Sequence, residues 1–179
     1  ADLLNRALSD AERVSAAYPE RAEPRVWEAI VLASLARVEG GLGALGKAKR
    51  SRDLLLEAEK IDPAVMHGSI YTTLGSLYAK VPGWPIGFGD RKLAREYLDK
   101  ALQVDPDGID ANYFYADFLA GTRQYAQASL YLERALKAPP RPGREDADAG
   151  RRGEAEALLA TLRREHGDAL AQNAARAGT

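Results

Sequence analysis

Two clusters of side chains have the types and spacing to recognise another molecule. The first is Pro82-Gly83-Trp84-Pro85-Ile86-Gly87-Phe88-Gly89, where Gly and Pro shape a turn around three large apolar side chains. Surface turns seldom carry Trp, Ile and Phe together without something to pack against. Two arrangements satisfy them. Trp84 and Phe88 fold back and plug a seam between helices, or they form an aromatic lip that grips a ligand, since buried aromatic anchors dominate binding energy. The second cluster is Asn112-Tyr113-Phe114-Tyr115-Ala116-Asp117-Phe118, with four aromatics in six residues, more than one packing face needs. Tyr113 and Asp117 lie four apart and share a helix face. That face is either a polar recognition surface or simply solvated.

Catalytic and metal chemistry find little support. The chain has no Cys, which removes disulfides, thiolate metal sites and Cys nucleophiles. His67 and His166 stand alone, without the paired ligand spacing of a metal site. The Gly-rich run Glu39-Gly-Gly-Leu-Gly-Ala-Leu-Gly46 is no phosphate loop, because Lys47 is followed by Ala48 and no strand precedes it. Lys47, Lys49, Arg50 and Arg52 beside it read as a solvated helix start or as a patch for an acidic partner. No cofactor or metal is expected, and no catalytic residues.

Composition narrows the class further. Hydrophobic residues make up 46% and charged residues 28%, ordinary proportions for a globular chain of 179 residues. A net charge of −1 gives no bulk attraction to nucleic acid or to an anionic membrane. No apolar run approaches the ~20 residues that span a bilayer, so membrane insertion is not expected. The Cys-free, Met-poor composition suits an oxidising compartment as well as the cytosol, and the start at Ala1 without Met leads us to expect an exported, periplasmic bacterial protein, with the cytoplasm as the alternative.

The elements that must position these clusters are helices. Apolar residues recur at three- and four-residue spacing and the breaks fall at Pro and Gly. The pattern predicts helices at roughly 2–18, 24–38, 46–61, 64–80, 90–104, 108–121, 124–137 and 151–166, an all-α fold. Asp90 is placed to cap the helix that follows it. Ala138-Pro139-Pro140-Arg141-Pro142-Gly143-Arg144 is a stiff exit that cannot be helical. Beyond it, Ala155, Leu158, Leu159 and Leu162 mark an amphipathic capping helix whose outer side would carry Arg151, Arg152, Arg163 and Arg164. The tail from Ala174 to Thr179 is expected to fray.

A phrase repeats along this helical pattern. Ala94-x-x-Tyr97-Leu98-x-x-Ala101-Leu102 followed by Pro106 returns 34 residues later as Ala128-x-x-Tyr131-Leu132-x-x-Ala135-Leu136 followed by Pro140. Ser51, Leu54, Leu55, Ala58 and Asp62-Pro63 form a fainter copy upstream. Leu74-Gly75-x-x-Tyr78 and Tyr115-Ala116-x-x-Leu119 supply small residues where paired helices approach closely. The 34-residue period and these positions resemble the tetratricopeptide repeat (TPR) family. The resemblance covers roughly Arg25 to Pro140 and implies a helix-turn-helix solenoid of about three repeats with capping helices at both ends. The expected domains are a repeat stack at 1–140 and a Pro/Arg-rich turn, capping helix and frayed tail at 141–179. Both upstream repeats carry extra residues between their helices, and these inserted turns should project from one edge.

By the same resemblance, the first helices line a concave groove that binds peptides or helices. Tyr113 and Asp117 would face it, with Ser69, Thr72, Ser76 and Lys80 at matching positions of the preceding repeat. Lys80 is the one basic residue there, which disfavours the carboxylate clamp of one TPR subfamily. The long turns are also similar to those of periplasmic T-component proteins associated with TRAP transporters, which implies a small-ligand cavity as the alternative. The expectation is a non-enzymatic adaptor for a protein or peptide partner, with Lys80, Trp84, Phe88, Tyr113, Asp117, Ser76 and Thr72 as binding residues. Exposed apolar turns would serve a homo-oligomer as well.

Overall fold

The computed structural model describes residues 2–177, with side chains throughout that span except at 42 and 168–177. The tail at 174–179 lies outside the described side chains, and its last two residues outside the described chain altogether. Among the described residues there are eight helices and no strand: α1 (Asp2–Ala17), α2 (Ala22–Glu39), α3 (Gly41–Ile61), α4 (Val65–Lys80), α5 (Arg91–Val104), α6 (Ile109–Gly121), α7 (Tyr125–Lys137) and α8 (Glu145–Ala177). They form two compact units, Ala1–Val104 and Asp105–Thr179.

In the first unit, α2 pairs with α3 and α4 with α5. Buried Leu32, Leu35, Leu55, Leu74 and Leu98 make its core. The fainter repeat copy at Ser51 has a physical role of its own. Ser51 is fully buried and its hydroxyl donates to the Ala29 carbonyl at 2.7 Å, stitching α3 to α2. Beside it, Arg50 donates to the buried Glu28 carboxylate at 2.7 Å. The α4/α5 pair depends on Gly75, because a Cβ there would stand 2.5 Å from Leu98 Cγ. Small residues are what let two backbones come this close.

Two elements of this unit differ from the sequence expectation. The Gly-rich run is not a projecting turn. The break is confined to Gly40 and Gly41, at φ of 64° and 68°, and α3 runs on from Gly41 with Gly43 and Gly46 inside it. Each glycine costs a helix about 1 kcal/mol, and packing of this segment offsets that cost. At Gly87 of the second inserted turn, an added Cβ would sit 3.4 Å from Leu45 Cδ1, so α3 and that turn lie against each other. The second departure is at the start of α4, where Met66, His67 and Gly68 take left-handed conformations with φ of 53°, 52° and 77°. Right-handed helix resumes from Ser69, whose hydroxyl donates to the Met66 carbonyl at 2.6 Å. Gly68 adopts such a φ freely, but Met66 and His67 do so at about 1–2 kcal/mol each.

In the second unit, α6 and α7 pair through buried Ala116 and Ala128, and the Tyr131 ring lies 4.7 Å from that of Tyr115. Asn112 is fully buried and donates to the carbonyls of Pro106 and Gly108, both at 2.9 Å, fixing the entry to α6. The capping helix α8 buries Ala155, Leu159 and Leu162, as the spacing predicts. It starts at Glu145 rather than 151, because Glu145 accepts the Gly143 N–H and the first turn carries Glu145, Asp146 and Asp148 against the helix dipole. Arg151 and Arg152 do not form an outer basic side. Arg151 reaches Asp110 at 2.7 Å, and Arg152 donates to the Leu136 and Ala138 carbonyls at 2.7 and 2.8 Å, closing the end of α7.

Candidate functional site

The turn between α4 and α5 is held by its own backbone. The Gly87 N–H donates to the Gly83 carbonyl at 3.1 Å, Gly89 to Pro82 at 2.9 Å, and Asp90 to Tyr78 at 2.9 Å. Gly87 and Gly89 are required by space. A Cβ on Gly87 would collide with the Pro82 carbonyl, and one on Gly89 with the Val81 carbonyl. The Asp90 carboxylate caps α5 by accepting the N–H groups of Lys92 at 2.8 Å and Leu93 at 3.1 Å.

This closed turn divides the three large side chains that the sequence groups together. Phe88 folds back. Its ring meets Tyr78 edge-on at 5.4 Å, and the Arg52 guanidinium sits 4.5 Å above it. Trp84 and Ile86 do the opposite, at 90% and 68% exposure. Phe88 is therefore the root of the turn, and Trp84 with Ile86 is its tip. Burial of even one Trp stabilises substantially, so its exposure on a rigid turn leaves binding energy unused within the chain.

Beneath the root, Tyr78, Tyr97 and Tyr71 continue as a stack, with ring separations of 5.6 Å and 6.3 Å. Lys100 lies 5.0 Å from the Tyr97 ring and donates to Glu59 at 3.2 Å. Burial first, and then the Glu59 carboxylate, pushes the phenols of Tyr71 and Tyr97 up. They stay protonated at neutral pH and offer packing and hydrogen bonds rather than a base.

The other expected binding residues separate by environment. Thr72 is only 4% exposed and its hydroxyl donates to the Ser69 carbonyl at 3.2 Å, so it belongs to the packing of α4 and not to a binding surface. Ser76 is half-buried on the same helix, and Lys80 is exposed at its end, next to the turn. Tyr113 and Asp117 lie on α6 in the second unit, both half-buried. Tyr113 packs against Ile109, Ala135 and Ala138, meets Phe114 edge-on at 5.4 Å, and lies 4.7 Å beneath the Arg151 guanidinium. The basic cluster is largely paired within the fold: Lys47 with Glu39, Arg50 with Glu12 and Glu28, and Arg52 with Asp53.

Val14, Tyr18, Pro24 and Trp27 wall a shallow cleft of about 500 Å³ between α1 and α2, with the Arg21–Glu23 pair on its rim. Their four-residue spacing brings Val14 of α1 and Tyr18, just past its end, to one side, but does not show that α2 brings Trp27 beside them. Among the described residues, no group of three or more His, Asp or Glu side chains is arranged to hold a metal ion. No described helix is long and apolar enough to cross a membrane.

Compared with known families, residues 86–144 match the tetratricopeptide repeat. That stretch, a third of the chain, is similar to the tetratricopeptide repeat. The match spans the end of the turn, α5, α6 and α7, and includes both copies of the Ala-x-x-Tyr-Leu phrase. The all-helical architecture, with close pairs at Gly75 and Ala116, agrees with a TPR fold. No curated protein matches the chain. Similarity to repeats of this kind suggests protein–protein interaction as the broad functional class.

Proposed function

We propose that the protein is a non-enzymatic TPR adaptor that holds a protein or peptide partner, with the inserted turn between α4 and α5 as its anchor. The observation that carries this is the exposure of Trp84 and Ile86 on a turn whose backbone and root are fixed. Preorganised aromatic side chains supply contact area at low ordering cost, the usual makeup of a binding hot spot. Lys80 and Ser76 add polar contacts near the turn. Tyr113 and Asp117 provide a second polar face, on which Tyr113 also serves packing. An exported, periplasmic setting belongs to the same proposal, and a Cys-free chain is compatible with it and with the cytoplasm alike.

The test is affinity capture with the full chain. Trp84→Ala combined with Ile86→Ala should remove a specific partner from the captured set while the unfolding midpoint stays unchanged. Undiminished capture by that double variant would remove the turn from the binding surface.

A further inference from the structure

Resting on the adaptor reading, the geometry points to the kind of partner the turn fits: a folded protein offering the Trp84–Ile86 tip an apolar pocket with an acidic rim. The tip is a knob. Two large apolar side chains stand one residue apart, between Pro and Gly residues that add little bulk. Such a projection fills a recess, whereas a flat protein surface would meet only its end. The knob also has a set shape. Its neck is closed by Gly89 donating to Pro82 and Asp90 donating to Tyr78, there is no room for a side chain at Gly87 or Gly89, and Phe88 is rooted between Tyr78 and Arg52. A set shape lowers the ordering cost of docking into a fitted recess. A bilayer surface accepts apolar side chains in any arrangement and gains little from it.

The charge around the neck specifies the rim. Asp90 is the one acidic residue between Lys80 and Lys92, and its carboxylate is turned onto the N–H groups of its own helix. The first turn of α5 carries no other acid. Lys80, Arg91 and Lys92 flank the neck in sequence and are exposed, and Lys92 meets Glu96 only at 3.9 Å with 85% of its side chain in solvent. Cations around an apolar knob are complementary to carboxylates around an apolar recess, an arrangement that steers encounter and fixes register.

A photo-crosslinking residue, benzoylphenylalanine, replacing Ile86 in the full chain tests this in the cells that make the protein, with adducts mapped by mass spectrometry. The expected adduct lies in an apolar recess of a partner protein bordered by Asp and Glu. Its yield should fall about thirtyfold with Trp84→Ala. Arg91→Glu with Lys92→Glu, or added salt, should lower it about tenfold. All these residues are exposed, and unchanged far-UV circular dichroism verifies the fold of each variant. An adduct with lipid, with a second copy of the chain, or on a partner surface without recess or acids overturns the proposal. A parallel probe at Asp117 separates the two readings. Protein adducts at 117 with none at 86 leave the adaptor standing and end the pocket proposal, and no protein adduct at either position ends both.

Discussion

Gly89 and Trp84 lie five residues apart, and the fold treats them in opposite ways. Gly89 is half-buried and has no side chain, yet a methyl group there would strike the Val81 carbonyl. Gly89→Ala should destabilise the first unit by about 1–3 kcal/mol, the range for forced overpacking. Trp84→Ala should change stability by less than about 0.5 kcal/mol, because the side chain touches little of the chain. Urea denaturation of the two variants checks the contrast, and a large loss from Trp84→Ala would mean that the tip is part of the core. His67 offers a test of the opposite sign. Its φ of 52° suits glycine better than histidine, and its side chain is exposed. His67→Gly should raise stability by roughly 0.5–1 kcal/mol in the same measurement. The turn composition around Trp84 is legible in the sequence. The fate of each ring is not, since Phe88 turns inward only because Tyr78 and Arg52 are there to receive it.

At the scale of elements, two helices owe their placement to single carboxylates. Asp90→Ala leaves the Lys92 and Leu93 N–H groups without their acceptor and should cost about 1 kcal/mol in thermal or urea unfolding. In the second unit, Asp148 is 4% exposed and accepts both the backbone N–H of Arg141 at 2.9 Å and its guanidinium at 2.8 Å, while Arg141 also reaches Asp110 at 2.8 Å. Asp148→Ala strands part of this network and should cost roughly 3 kcal/mol, the scale for breaking a buried pair. The pH dependence has a definite sign. Burial alone would raise the Asp148 carboxyl, but hydrogen bonds from Arg141 and its positive charge hold it below its ordinary value. A group depressed in the folded state contributes stability that is present above its unfolded pKa, about 3.9. That contribution is lost as pH falls through the lower folded value. Urea midpoints measured at pH 5 and pH 3 should therefore converge between wild type and Asp148→Asn at the lower pH. The Pro-rich exit and the Leu spacing of α8 announce a capping helix, yet nothing local marks Arg141 and Arg151 as its clamps, because their acceptor Asp110 lies 31 and 41 positions earlier.

Over the whole molecule, the adaptor reading predicts that binding and folding come apart. The Trp84→Ala, Ile86→Ala variant should unfold at the wild-type midpoint and fail to capture a partner. The reverse pattern, reduced stability with capture intact, would assign the turn to the fold. What the sequence determined by itself is periodic and local: the eight helices, the 34-residue repeat and the small residues at Gly75 and Ala116. Helical spacing and Pro or Gly breaks act within a few residues, so these features survive without knowledge of neighbours. What only the tertiary structure decided is everything that depends on a partner distant in sequence. Packing absorbed the Gly-rich run into α3, took Thr72 out of any binding surface, set Tyr113 under Arg151 and left Trp84 in solvent. The physical reason is that helix formation is specified by nearby residues, whereas exposure is the outcome of which surfaces meet.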